Sequence, residues 1–261
     1  HRRALAIDEA SYGESHPDVA TDLNNLAELL RATNRLAEAE PLMRRALAIN
    51  EGSFGKDHPD LGRDLNNLGG VLYANNRLAE AELIYLRALT IDEASFGEDH
   101  PDVARDLNNL AEVFRATNRR AEAEPLFRRA LAIWEASFGG NHPKAASAMN
   151  NLALALKDTN RLAEAEPLMR RVVEIFLQLT RITGQVHPHL RTVVNNYGTL
   201  LQEMGWSEMQ IQTALEDTTK RFGMFLDKDG GGRNRELPPQ LDAVMEPLMN
   251  DPSQLPGIIA R

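Results

Sequence analysis

The sequence predicts an all-α fold, a solenoid of antiparallel helix pairs built by internal duplication. The dipeptide His-Pro recurs at positions 16, 58, 100, 142 and 187, at spacings of 42, 42, 42 and 45 residues. Each His is followed eight residues later by the dipeptide Asn-Asn. Residues 16–57 and 100–141 are identical at 33 of 42 positions. Repeats of this length, each too small to bury its own apolar face, are typical of solenoids.

The first full repeat shows why each unit is predicted to form two helices. Pro17 suits a first helical turn, and Asp18 is favourable beside the positive end of a helix. Apolar residues follow at helical spacing until Asn34, a residue type that tolerates a left-handed helix end. A second helix then runs from Leu36 to a turn at Gly55, and this turn position is Gly in every repeat. The two apolar stripes are Val19, Leu23, Leu26, Ala27 and Leu30, and Leu36, Ala39, Met43, Ala46, Leu47 and Ile49.

The repeat period divides the whole chain. Residues 1–15 align with residues 43–57 and are a second-helix remnant of a preceding repeat, so the N-terminus looks truncated. The repeats that follow are 16–57, 58–99, 100–141, 142–186 and a divergent fifth at 187–226. We expect a Gly-rich linker at 227–237 and a C-terminal capping segment and tail at 238–261. The alternatives for this segment are a stand-in ligand that occupies a groove, or a simple tether.

The repeated residues resemble the tetratricopeptide repeat. The matching pattern is Leu23, Leu26, Ala27 and Leu30 on the first helix, with Ala39, Met43 and Ala46 on the second. The 42-residue period and the junction SFGxDHPDVAxxLNNLA are similar to the form found in kinesin light chain and many bacterial relatives. This resemblance covers residues 1–222 and implies a right-handed superhelical solenoid of antiparallel helix pairs. It says little about biological role, because fold and function separate easily.

Composition argues against several classes of protein. The absence of Cys excludes disulfides, thiolate metal sites and Cys nucleophiles. No apolar run approaches the roughly 20 residues needed to cross a bilayer, so no membrane association is expected. A net charge of -9 argues against a nucleic-acid partner. Cytoplasmic is the default location, because no export signal is visible.

The seven His residues are not spaced as a metal site. Five of them occupy one repeat position, so counterparts lie at least about 8–10 Å apart, whereas zinc holds its ligands at about 2 Å. We therefore expect these five to cap the first helices. The sequence also carries no nucleophile-elbow, phosphate-binding or zinc-peptidase motif. No enzyme activity, cofactor or metal is predicted.

The Asn pairs are the candidate binding residues. A helical Asn costs roughly 0.5–0.7 kcal/mol relative to Ala, so ten of them need a compensation. An Asn amide can pair with both the C=O and the N–H of an extended peptide, and in the resembled family the second Asn commonly does so. The second residues are Asn25, Asn67, Asn109, Asn151 and Asn196. The alternative is that one Asn of each pair fixes the stacking of repeats, and it is strongest for Asn24, Asn66, Asn108 and Asn150.

Basic residues accompany the Asn pairs on the face of the first helices opposite the apolar stripe. In a solenoid of this kind the first helices line the concave groove, so this face is its floor. The residues predicted on or beside the floor are Arg63, Arg105, Arg31, Tyr73, Arg115 and Lys157. They predict a groove that prefers acidic segments or a free C-terminal carboxylate. The alternative is that the Arg side chains reach into solvent away from the groove.

The sequence therefore predicts a protein–protein interaction module that binds an extended peptide or protein segment through an Asn ladder and basic residues. Two alternatives stay open. The chain could be a regulatory or sensor segment of a larger enzyme or signalling NTPase, or a self-assembling scaffold that forms a homodimer.

Overall fold

A computed structural model describes residues 1–222, which form eleven α-helices and no β-strand within that range. The helices are α1 Arg2–Tyr12, α2 Pro17–Ala32, α3 Leu36–Phe54, α4 Asp60–Ala74, α5 Leu78–Phe96, α6 Pro101–Ala116, α7 Arg120–Phe138, α8 Pro143–Asp158, α9 Leu162–Thr183, α10 Leu190–Glu203 and α11 Glu208–Arg221. Consecutive helices pack as pairs, which confirms the predicted all-α fold. No described helix is long and apolar enough to cross a membrane. The predicted linker and capping segment lie outside the described residues.

The chain divides into two compact units. The first contains residues 1–137 and the second begins at Phe138. Within the first unit, the first helices of three repeats are α2, α4 and α6, and each packs against the second helix that follows it or precedes it. The second unit contains α8 to α11. The candidate site is built separately in each unit.

The repeated His residues start the first helices. The N–H of Asp18 donates a hydrogen bond to His16 Nδ1 at 3.2 Å, and the same bond recurs at His58, His100 and His142. Each imidazole also stacks on an aromatic ring from the preceding helix, with ring centroids 4.6–4.9 Å apart. Because an N-cap acceptor satisfies a helix N–H that has no intrahelical partner, these contacts fix where each repeat begins. The predicted capping role is confirmed at His16, His100 and His142. It is not met in full at His58 and His187, because α4 begins after Pro59 and α10 begins after His189. Each of these two imidazoles still accepts the N–H of the residue two positions later.

The first helices of the four full repeats end as predicted. Asn34, Asn76, Asn118 and Asn160 all adopt the left-handed conformation, with φ of 58–63°. Beyond Asn34, the N–H of Arg35 bonds back to Leu30 O at 2.8 Å and satisfies a carbonyl of the last turn. The turn from one repeat helix to the next is therefore set by a single residue type at one position.

Small residues allow the helices of the first unit to approach closely. Ala20, Ala27, Ala39 and Ala46 are fully buried between α2 and α3. In the second repeat, Gly69 takes the place of Ala27, and a Cβ added there would lie 2.5 Å from Cε1 of Tyr85. The larger ring of Tyr85 thus occupies the space that a methyl group fills in the first repeat.

The second unit has a cleft of about 490 Å³ between α9, α10 and α11. Trp206 and Met209 give it apolar lining and remain exposed to solvent. At its edge the hydroxyl of Tyr197 donates to Glu166 Oε1 at 2.8 Å. The last described repeat therefore leaves an apolar surface uncovered by the other described residues.

The cap predicted from the sequence at residues 238–250 stays a prediction. If this segment covers the last repeat, a chain that ends at Asp227 should melt at a lower temperature and self-associate more, because the apolar surface would be left bare. Thermal denaturation and light scattering over a range of concentrations measure both effects. Unchanged values of both would contradict a capping role, and higher affinity for added peptides would indicate a stand-in ligand instead.

Candidate functional site

The first Asn of each pair in the first two repeats is turned inward. Asn24 is buried on α2, and its Nδ2 donates to Asp64 Oδ1 at 2.8 Å. Asn66 is buried at the equivalent place on α4, and its Nδ2 donates to Asp106 Oδ1 at 2.6 Å. Each amide therefore joins its own repeat to the Asp of the next. At these two positions the geometry favours the stacking alternative over contact with a ligand.

The second Asn of each pair lies nearer the surface. Asn25 is exposed and Asn67 is half-buried, and neither side chain hydrogen-bonds to another described residue. Asn109 is half-buried and donates through Nδ2 to Asn66 Oδ1 at 2.8 Å. The two positions of the pair thus have different surroundings. Amide groups that are available to a ligand lie at Asn25 and Asn67, while Asn109 also supports the stacking of repeats.

The second unit repeats part of this network. Asn196 donates through Nδ2 to Asn150 Oδ1 at 3.0 Å, as Asn109 does to Asn66. Asn150 in turn donates to Asn151 Oδ1 at 3.3 Å. Asn108, in the first unit, and Asn151 are both half-buried. The ladder predicted from the sequence therefore contains hydrogen bonds along the stack as well as amides that face outward.

Most of the predicted basic residues are paired with acidic residues. On α2, Arg31 Nη2 forms an ion pair with Glu28 Oε2 at 2.8 Å. On α6, Arg115 Nη2 forms an ion pair with Glu112 Oε2 at 3.2 Å. In the second unit, Lys157 bonds Glu203 at 2.7 Å. These pairs offset much of the positive charge expected from the sequence. The exception is Arg63, which is exposed and forms no ion pair with another described residue. Tyr73, also predicted at this face, is half-buried on α4.

Arg105 is directed toward the junction of α5 and α6. Its guanidinium lies 3.1 Å from Asp92 Oδ2 and 3.4 Å from Asp106 Oδ1, and it also bonds Asp102 at 2.8 Å. Asp92 and Asp106 are both buried, and each influences the pKa of the other. Burial raises the pKa of Asp106 to about 8, while the charge of Arg105 lowers this pKa and the charge of Asp92 raises it. Asp106 therefore holds its proton at neutral pH.

The junction between the first and second repeats also contains a buried Asp, but it has no second carboxyl group beside it. Asp64 accepts hydrogen bonds from Asn24 and from Asn50, the latter at 2.6 Å. Asp92 stands at the repeat position of Asn50, so a second carboxyl group replaces an amide donor at the next junction. This substitution is a sequence signal that could have revealed the role of Arg105.

The site offers hydrogen bonds and charge but no arrangement typical of catalysis. Among residues 1–222 no group of three or more His, Asp or Glu side chains could hold a metal ion. The amides of Asn25, which is exposed, and Asn67, which is half-buried, have the donor and acceptor that pair with a peptide group.

Comparison with known proteins places the chain in a family. A family model described as tetratricopeptide repeat matches residues 1–52, 23–94, 65–136 and 107–178. A search of curated proteins found no match. Similar solved structures include BtubC (BKLC) from P. vanneervenii, at 23% identity and a TM-score of 0.68 over 90% of this chain and 97% of that one.

A second similar structure contains the nearly identical TPR-like repeats of a Podosopora anserina protein described as a kinesin light chain. It is 21% identical, with a TM-score of 0.63 over 80% of this chain and 96% of that one. A variant of the same protein is 22% identical, with a TM-score of 0.64 over 79% of this chain and 95% of that one. At these identities the likeness concerns the fold, and it confirms the helix-pair architecture and the kinesin-light-chain-like repeat. Since the family model spans residues 1–178 of 261, the chain belongs to the tetratricopeptide repeat family.

Proposed function

We propose that this chain is a protein-recognition module in which the outward face of α2, α4 and α6 binds an extended segment of a partner protein. Tetratricopeptide repeats are generally protein–protein interaction modules. The observation that carries the proposal is the difference between the two positions of each Asn pair. Asn24 and Asn66 donate buried hydrogen bonds between repeats. The side chains of Asn25, which is exposed, and Asn67, which is half-buried, hydrogen-bond to no other described residue.

Helix energetics support this assignment. Asn24 and Asn66 recover the cost of Asn in a helix through hydrogen bonds to buried carboxyl groups. Asn25 and Asn67 have no such compensation among the described residues. A residue that disfavours the helix and has no hydrogen-bond partner within the protein is expected where a bound ligand supplies that hydrogen bond. An extended peptide does so irrespective of its sequence, because every peptide unit presents one N–H and one C=O.

Charge adds a preference for the type of segment. Arg63 is exposed on this face and forms no ion pair with another described residue, so it can bind a carboxylate of the ligand. Arg31 and Arg115 can also do so, because their ion pairs with Glu28 and Glu112 lie at or near the surface, where such pairs stabilise by only about 0–1 kcal/mol. We therefore extend the proposal to segments that are acidic or end in a free carboxylate.

The test compares two Asn variants against peptides selected from a random 12-residue library on the unmodified chain. Asn25→Ala/Asn67→Ala should weaken binding roughly tenfold or more, because each lost hydrogen bond costs about 0.5–1.5 kcal/mol. Its melting temperature should not fall, since Ala is the better helix former. Isothermal titration calorimetry gives the affinities and circular dichroism gives the melting temperatures.

Asn109→Ala serves as the matched control. Its removal leaves Asn66 Oδ1 buried without its donor, so this variant should lose about 1–3 kcal/mol of stability. Normal affinity in the Asn25→Ala/Asn67→Ala chain would contradict the proposal. Self-association of the chain without peptide binding would favour the scaffold alternative.

A further inference from the structure

The second repeat carries three glycines within its first helix, where the first and third repeats carry none. Gly is among the poorest helix formers, so each of these positions calls for a reason. The glycines are Gly62, Gly69 and Gly70, and the equivalent residues are Ala20, Ala27 and Glu28 in the first repeat and Ala104, Ala111 and Glu112 in the third.

Packing accounts for two of the three glycines. A Cβ at Gly62 would overlap the carboxyl group of Asp92, and a Cβ at Gly69 would lie 2.5 Å from the ring of Tyr85. At Gly70 the nearest atom is the hydroxyl oxygen of Tyr85, 3.7 Å from the Cβ position, which is an ordinary van der Waals distance. An alanine would fit there without displacing any described atom. Gly70 therefore leaves a half-buried stretch of the α4 backbone without a side chain, and internal packing gives no reason for it.

The hydroxyl of Tyr85 is the second feature of note at this place. Only 5% of the surface of Tyr85 is exposed, and its hydroxyl hydrogen-bonds to no described residue. This oxygen is not among the buried atoms that lack a partner, so it reaches the surface and can meet a ligand. The equivalent residues Met43 and Phe127 carry no polar group. Burial raises the pKa of Tyr85, so the hydroxyl keeps its proton and is available as a donor.

Charged groups of both signs surround this recess. The Arg31–Glu28 pair of α2 and the Arg115–Glu112 pair of α6 belong to the neighbouring first helices. Arg31, Glu112, Asp106 and Tyr73 are the groups close enough to act electrostatically on the phenol of Tyr85. The group that the recess itself offers is the neutral phenol hydroxyl, a donor that pairs well with an uncharged oxygen acceptor.

Building on the proposed function, we infer that Gly70 and the Tyr85 hydroxyl form a subsite in which the bound segment lies directly on the backbone of α4 and an uncharged oxygen of that segment accepts a hydrogen bond from Tyr85. Glycine permits a close approach of a second backbone that any side chain would prevent. The subsite would select a main-chain carbonyl or the side chain of Asn, Gln, Ser or Thr. It belongs to the second repeat alone, whereas the Asn positions recur along the stack.

Two variants test the subsite with peptides selected from a random 12-residue library on the unmodified chain. Gly70→Ala should raise the melting temperature, because Ala favours the helix, and yet should weaken peptide binding about tenfold by blocking the close approach. Tyr85→Phe removes only the hydroxyl and should weaken binding about fivefold without lowering the melting temperature. A purely structural role of either residue would not separate affinity from stability in this way.

The outcomes distinguish this subsite from the proposed function. Peptides that depend on Asn25 and Asn67 but bind both variants normally would overturn the subsite and leave the proposed function standing. Peptides that are insensitive to all four residues, or a library that gives no binder, would overturn both. A lower melting temperature for Tyr85→Phe would reveal an internal partner for the hydroxyl and would also overturn the subsite.

Discussion

Replacing Asp92 by Asn is expected to stabilise the chain at pH 8 by on the order of 1 kcal/mol and to make stability fall less steeply with rising pH. In the native chain Asp106 titrates at about 8, because it is buried beside Asp92. In the unfolded chain an Asp titrates near 4. Between these values the native state holds a proton that the unfolded state has released. The stability of the unmodified chain should therefore fall as the pH rises from about 4 to 8.

Asn at position 92 would recreate the arrangement of the preceding junction. Asn50 donates to Asp64 there, and Asn24 supplies the second amide, as Asn66 does for Asp106. With two amide donors and Arg105 nearby, Asp106 can ionise without facing a second carboxyl group. His100 and Asp102 are the remaining charged or titratable groups that act on Asp92. Urea denaturation at pH 5 and pH 8 measures the effect.

The reverse substitution, Asn50→Asp, is the matched control at the first junction. It should make stability fall with rising pH more steeply than in the unmodified chain, because it places a second carboxyl group beside Asp64. Parallel pH profiles for Asp92→Asn and the unmodified chain would show that Asp92 does not raise the pKa of Asp106.

Replacing Gly69 by Ala is expected to destabilise the chain by about 1–3 kcal/mol, although Ala is the better helix former. The added methyl group would meet the ring of Tyr85 at 2.5 Å, and a buried ring between packed helices has little freedom to move. Adding Tyr85→Met should restore most of the loss, because the first repeat combines Ala27 with Met43.

A double-mutant cycle separates this steric explanation from simple helix propensity. The two substitutions should be strongly non-additive, with the double variant more stable than Gly69→Ala alone. Urea denaturation of the four chains gives the coupling free energy. If the effects of the two substitutions add, the close contact between position 69 and the ring does not limit stability.

Features that depend on near neighbours in the chain were predictable from the sequence. The His caps and the left-handed Asn residues follow from one residue type at one position, as at His16 and Asn34. The helix pairs follow from apolar spacing in the same way. These contacts need no knowledge of the neighbouring repeat.

The roles within the candidate site depend on distant residues and could not be assigned in the same way. Asn24 and Asn25 are alike in sequence, and what separates them is a carboxyl group forty residues away on Asp64. Arg105 was predicted at the groove floor, but the buried pair of Asp92 and Asp106 draws it to a helix junction. The recurring Asp two residues before each Asn pair in the first three repeats was a visible hint of this network.

Peptide recognition by the first helices is tested most directly by the nuclear magnetic resonance spectrum of the Asn side-chain amides. A ¹⁵N-labelled chain would be titrated with a selected 12-residue peptide. We expect the Nδ2 resonances of Asn25 and Asn67 to shift on binding, while those of Asn34 and Asn76, at the helix ends, stay in place. Unshifted resonances for Asn25 and Asn67, with changes confined to residues of α3 and α5, would contradict recognition by this face.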